Sequence, residues 1–126
     1  MVELKECPWI HEFRAYFADC FNDNLFRLDE IEDICTERNG GVFYGRMDNT
    51  LVGFCILEKR GDIGFIHAAK SLDNSLKLFD TFLGAMVAYL KGIGCKQIRL
   101  ETSRHGIVRQ SALFGFRAVS MILELE

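Results

Sequence analysis

The 126-residue sequence predicts an α/β (α+β) fold: a central mixed, mostly antiparallel sheet flanked by helices on both faces. Three observations carry this prediction. Before residue 40 the apolar residues recur at helical three- and four-residue steps. After it they gather into short runs separated by turn residues. A long amphipathic stretch then leads to a further apolar run, as a helix crossing over a sheet would. Helices on both faces of one sheet bury all of these stripes at once.

Each element follows in order. In residues 9–21, Ile10, Phe13, Phe17 and Cys20/Phe21 make one apolar stripe of a helix, which Asn22-Asp23-Asn24 breaks. A second helix spans about residues 28–38, with Leu28, Ile31, Ile34 and Cys35 inward. Asn39-Gly40-Gly41 ends it with residues that tolerate positive φ. Residues 42–47, 51–58 and 63–69 then read as three strands of an antiparallel meander, turned at Asp48-Asn49-Thr50 and at Lys59-Arg60-Gly61-Asp62. The second run is almost continuously apolar, which places it centrally, covered on both faces. Residues 70–75 form a polar loop in which Asp73 or Asn74 caps the next helix. That helix covers about residues 75–92, with Leu76, Phe79, Phe82/Leu83, Met86, Val87 and Leu90 buried, and Gly92-Ile93-Gly94 stops it. Residues 98–102 are a strand, 103–114 a short helix or turn, and 118–124 a last strand.

Composition removes several classes. An apolar fraction of 49% with 12% aromatics excludes a disordered chain and suits one domain over residues 1–126. No run approaches the ~18 apolar residues of a membrane span, and the N-terminal segment reads as carrying no secretory leader. Residues 1–40 hold 4 basic and 10 acidic residues (net −6) and residues 41–126 hold 11 and 8 (net +3), together the net −3 of the chain. The basic part suits a small anionic ligand. With no basic stripe, nucleic acid through Lys70, Lys77, Arg104 and Arg109 is the weaker reading. The five cysteines are odd in number, widely spaced and without Cys-x-x-Cys, as expected of reduced apolar filler in a cytoplasmic protein. His11, His67 and His105 stand at no ligand spacing from a cysteine pair, so no metal site is expected.

Residues 83–102, Leu-Gly-Ala-Met-Val-Ala-Tyr-Leu-Lys-Gly-Ile-Gly-Cys-Lys-Gln-Ile-Arg-Leu-Glu-Thr, resemble the central helix and fifth strand of the GNAT superfamily of acetyl-CoA-dependent N-acetyltransferases. Phe114-Gly115-Phe116-Arg117 resembles that family's turn into its sixth strand, and residues 46–54 its turn between the second and third. The resemblance covers roughly residues 5–126 and extends to compact, degenerate GNAT-like proteins of phages. It rests on the order and spacing of the motifs. The family's first strand, before the opening helix, is expected to be missing or very short.

The resemblance implies acetyl transfer from acetyl-CoA to a small-molecule or peptide amine, with acetyl-CoA lying in a splay between the fourth and fifth strands. A backbone N–H of Ala68 or Ala69 would polarise the thioester carbonyl. Lys70, Asn74, Ser75 and Lys77 fall around the family's pyrophosphate loop, where free amides at a helix start attract an anion. The loop's small positions hold Lys77 and Phe79 in place of glycines. For the general base, His67 on the fourth strand and Glu101 on the fifth are the candidates. Ser111 stands where the family often has a tyrosine general acid. A second class of function stays open: a GNAT-like fold without the chemistry, binding a protein partner through its acidic, aromatic-rich N-terminal helices. The apolar C-terminal run offers an edge at which two chains could pair as a homodimer.

Overall fold

A computed structural model describes residues 2–37, 40–72 and 76–100. The elements are β1 (Glu3–Cys7), α1 (Glu12–Phe17) continued by a 3-10 turn (Ala18–Phe21), α2 (Leu25–Thr36), β2 (Gly40–Met47), β3 (Thr50–Arg60), β4 (Ile63–Ser71), α3 (Leu76–Gly92) and β5 (Gln97–Leu100). The strands form one sheet in the order β1-β2-β3-β4-β5. Neighbours are antiparallel from β1 to β4; β4 and β5 are parallel, joined over the sheet by α3.

The meander turns where the sequence places its turns. Asp48 and Asn49 both take positive φ, 49° and 69°, between the paired Met47 and Thr50. That is the two-residue turn whose twist matches a hairpin, and Asp and Asn tolerate it. Asn22 and Asp23 are left-handed as well and stop the 3-10 turn. Asn24 then caps α2, its Oδ1 accepting the Arg27 N–H at 3.1 Å. The break and the cap are therefore one segment, and α2 begins at Leu25 rather than near residue 28.

Two further differences have physical causes. A strand does precede the first helix. β1 pairs with β2 in register Glu3↔Arg46 to Cys7↔Val42, which corrects the expectation of a missing or very short strand. As an edge strand it buries few side chains, so Glu3, Lys5 and Glu6 face water and mask the alternation. The stretch 9–21 is also not one helix: it tightens to 3-10 geometry at Ala18, which keeps Phe13, Phe17 and Phe21 all inward.

The sheet carries a core on each face. Phe82, Leu83, Met86 and Leu90 of α3 pack on Phe43, Cys55, Leu57 and Ile66. Phe13, Phe17, Leu28 and Ile31 of α1 and α2 pack on Val42, Ile56 and Ala68. β3 contributes to both cores, as its continuous apolar run requires. Gly53 is needed where β3 meets the end of β4: a Cβ there would stand 2.2 Å from the Lys70 carbonyl oxygen.

The sheet is interrupted twice. Gly45 pairs with Gly53 but Arg46 with Leu51, so Val52 is an extra residue on β3. Ile56 pairs with Ala68 but Leu57 with Ile66, so His67 is an extra residue on β4. Among the described residues no helix is long and apolar enough to cross a membrane.

Phe17, fully buried between α1 and the sheet, should dominate the second core. Phe17→Ala is expected to lower stability by about 3–5 kcal/mol, whereas Phe26→Ala, at a side chain 87% exposed, should change it by less than about 0.5 kcal/mol. Urea unfolding of the two variants checks both values.

Candidate active site

β4 carries its bulge just beyond its described pairing with β5. The β4–β5 register runs from Ile63↔Gln97 to Ile66↔Leu100, and from Ala68 to Ser71 β4 continues paired to β3. Ile66 packs in the α3 core and Ala68 in the opposite one, so the extra residue at 67 lets two consecutive side chains share the α2 face. His67 is the first of them and is 2% exposed.

A buried imidazole needs partners, and His67 has one at each nitrogen. Nε2 lies 2.7 Å from Glu58 Oε1 and Nδ1 lies 3.1 Å from Arg27 Nη2. A guanidinium only donates, so Nδ1 accepts. Nε2–H then donates to the carboxylate, and the ring is the neutral Nε2–H tautomer. The Phe65 ring lies parallel to the imidazole, 3° between planes and 5.5 Å between centroids. Arg60 and Arg99 both lie over that phenyl ring, 4.8 and 5.9 Å from its centroid.

Glu58 is as buried as the histidine, and Arg60 Nε donates to its second oxygen at 2.7 Å. Burial alone would raise its pKa. The hydrogen bonds from Arg60 and His67 and the positive charge beside it outweigh that and hold the carboxyl below its ordinary value. Arg27 also pairs with Glu30, one turn along α2, and its guanidinium lies over the Phe21 ring at 5.7 Å. Arg27, His67, Glu58 and Arg60 thus form one chain of hydrogen bonds from α2 through the bulge to β3. Sequence reasoning singled out His67 and passed over the other three members of this chain of hydrogen bonds. The available signal was a glutamate, Glu58, closing an otherwise apolar run.

Neither a protein-family model nor a curated protein sequence matches the chain. Solved structures do. A putative acetyltransferase from Bacillus subtilis (YycN) is similar over 100% of this chain and 98% of its own, with TM-score 0.74 and 12% identity. The aminoglycoside N-acetyltransferase AAC(6')-Iy, solved with a bisubstrate analogue of coenzyme A, is similar over 100% and 97%, with TM-score 0.63 and 12% identity. A structure described as a transcriptional regulator from Bacillus halodurans is similar over 100% and 99%, with TM-score 0.65 and 13% identity.

The chain has the GNAT fold.

In GNAT terms, β4 and β5 are the strands between which the resemblance places acetyl-CoA. Ala68 and Ala69 follow the bulge, paired with Ile56 and Cys55, where β4 has left the described part of β5. Lys70 is directed to the α1 side: its Nζ donates to the Tyr16 carbonyl at 2.7 Å and to Asp19 Oδ1 at 3.1 Å, and lies 4.6 Å from the Tyr16 ring centroid. The ammonium is therefore held on the face opposite α3. Asn74, Ser75, Glu101 and Ser111 lie outside the described residues. Lys77 lies in the first turn of α3, with its side chain outside the description. The structure brings His67, Ala68 and Ala69 together at the bulge and sets Lys70 apart from them.

Because folding lowers the Glu58 pKa, the group adds stability above its unfolded value of about 4.3 and loses it as pH falls through the folded one. Glu58→Gln should therefore cost about 1–3 kcal/mol at pH 7, and its stability should fall less steeply than wild type below about pH 4.3. Urea unfolding across pH 3–8 measures this, and parallel curves for the two proteins would refute it.

Proposed function

We propose that the chain transfers an acetyl group from acetyl-CoA to an amine, in a site at the His67 bulge. The observation that carries this reading is the bulge in β4, the strand paired in parallel with β5, which holds a buried histidine–carboxylate pair. A splay there would seat the thioester. The similarity in fold to acetyltransferases, one of them bound to a coenzyme A bisubstrate analogue, supports the same placement.

In this reading an N–H of Ala68 or Ala69 stabilises the oxyanion that forms as the amine attacks the acetyl carbonyl. His67 takes the amine proton, and Glu58 orients the ring and stabilises the imidazolium. Glu101 and Ser111 are the further candidates for base and acid, and Asn74, Ser75 and Lys77 those for holding the cofactor, Lys70 being engaged on the α1 side instead. Holding both reactants in line would supply most of the rate. The acceptor is a small-molecule or peptide amine. The cysteines suit a reducing compartment such as the cytoplasm. Burial lifts the Cys35 thiol to about 12 and raises Cys7 and Cys55 too, so none of the three is a poised nucleophile.

One observation favours a second reading, a GNAT-like binding protein without the chemistry. Both nitrogens of His67 are engaged, so the described state offers no lone pair to a substrate proton.

Calorimetric titration with acetyl-CoA and with CoA separates the two. Binding of both ligands is expected, and no heat at millimolar ligand would rule out the enzyme. Given binding, His67→Ala should lower the single-turnover rate by about 10²–10⁴-fold. Glu101→Gln, compared under the same conditions, tests the other base. Unchanged rates in both variants would remove the assignment.

A further inference from the structure

We propose that Arg27 is a removable plug whose guanidinium stands where the acceptor's ammonium group binds, so that α2 gates the base. The inference deepens the acetyl-transfer reading and names the acceptor as a cationic amine.

The geometry points to exchange rather than to a fixed structural bond. Arg27 Nη2 takes the one imidazole nitrogen that the Glu58 carboxylate leaves, Nδ1. It is a positively charged N–H donor on a neutral acceptor, and an alkylammonium is a donor of the same kind. The Arg27 side chain is 22% exposed and the His67 side chain 1%, and the guanidinium covers Nδ1 from the α2 side. Arg27 has other partners on its own segment, Glu30 and the Phe21 ring, so releasing His67 leaves it paired. It sits in the first turn of α2, directly after Asn22-Asp23-Asn24 with its two left-handed residues. Among the described residues the charged groups around the ring are Arg27 on Nδ1 and Glu58 on Nε2, with Glu30 on Arg27, Arg60 on Glu58 and Arg99 over the stacked Phe65.

Exchange completes the chemistry with its protons balanced. The ammonium displaces the guanidinium and passes one proton to Nδ1. The imidazolium then donates through Nε2–H to Glu58, which Arg60 keeps ionised. The neutral amine attacks the acetyl carbonyl, the C–S bond breaks, and the second N–H proton leaves with the thiolate or to solvent. While Arg27 is in place the lone pair is occupied, and no proton can be taken.

The test uses the intact protein without cofactor. Diethyl pyrocarbonate acylates a neutral imidazole nitrogen that it can reach, and peptide mass spectrometry reads each site, with exposed His11 as the internal reference. In wild type His67 should be protected. In Arg27→Ala its acylation relative to His11 should rise on the order of tenfold, as expected for losing a charge-assisted hydrogen bond that covers the ring. Ethylammonium added to Arg27→Ala should restore protection, and tetramethylammonium, which has no N–H, should not. Arg27→Lys, which keeps a cationic donor, reports on the same bond if the alanine variant unfolds; its His67 should stay protected. An unprotected wild-type His67, an Arg27→Ala variant that folds with no gain in reactivity, or equal protection by both ammonium ions would each overturn the proposal. Failure of acetyl-CoA to bind, with the exchange intact, would remove the transfer reading and leave the ammonium site standing.

Discussion

The 2.7 Å hydrogen bond between His67 Nε2 and Glu58 Oε1 is the constraint to which the middle of the sheet is fitted. A carboxylate buried to 2% exposure is costly unless donors meet both of its oxygens. Arg60 meets one from two residues along its own strand. The other is met from β4, by the bulged His67. The bulge in turn resets the alternation, so Ala68 joins the α2-side core and Ala69 packs toward α3. One buried ion and its satisfaction thus account for a departure from regular pairing in the strand that also pairs with β5.

The acidic character of the first forty residues looks different in three dimensions. Glu32 accepts from the Trp9 indole at 2.9 Å, Asp29 pairs with Arg14 at 2.8 Å, Asp19 receives Lys70, and Glu30 receives Arg27. Much of that negative charge is used within the helical layer, fastening α1 to α2 and, through Asp19, the 3-10 turn to β4. Each exposed pair contributes little by itself. Together they set how α2 lies over β4, and hence where Arg27 meets the bulge.

Much of the fold was legible in the sequence because burial imposes periods on it. The apolar run at 51–58 marked the strand shared by both cores, and the stripe from Phe82 to Leu90 marked the crossover helix. β1 was not legible, because an edge strand with three charged residues in five carries almost no alternation. Nor was the 3-10 turn, since Phe13, Phe17 and Phe21 satisfy a helical stripe whether or not its last turn tightens. The candidate site was legible only as one histidine. Its link to Glu58 depends on a one-residue bulge, which strand patterning does not encode. Its link to Arg27 spans forty residues of chain. Asn74, Ser75, Glu101 and Ser111 lie outside the described residues.

The parallel β4–β5 pair has a consequence for how the molecule is assembled. Within the meander, hairpin partners begin three residues apart, at Met47↔Thr50 and Arg60↔Ile63. Ile63 and Gln97 are 34 positions apart (97 − 63), with α3 between them. Closing the longer loop costs more entropy before any contact rewards it, so local pairings form early and such a crossover late. The meander, with the Glu58–His67 pair at its second hairpin, can therefore organise first. β5 then docks onto a β4 already bulged, so the edge it joins has a shape settled before it arrives.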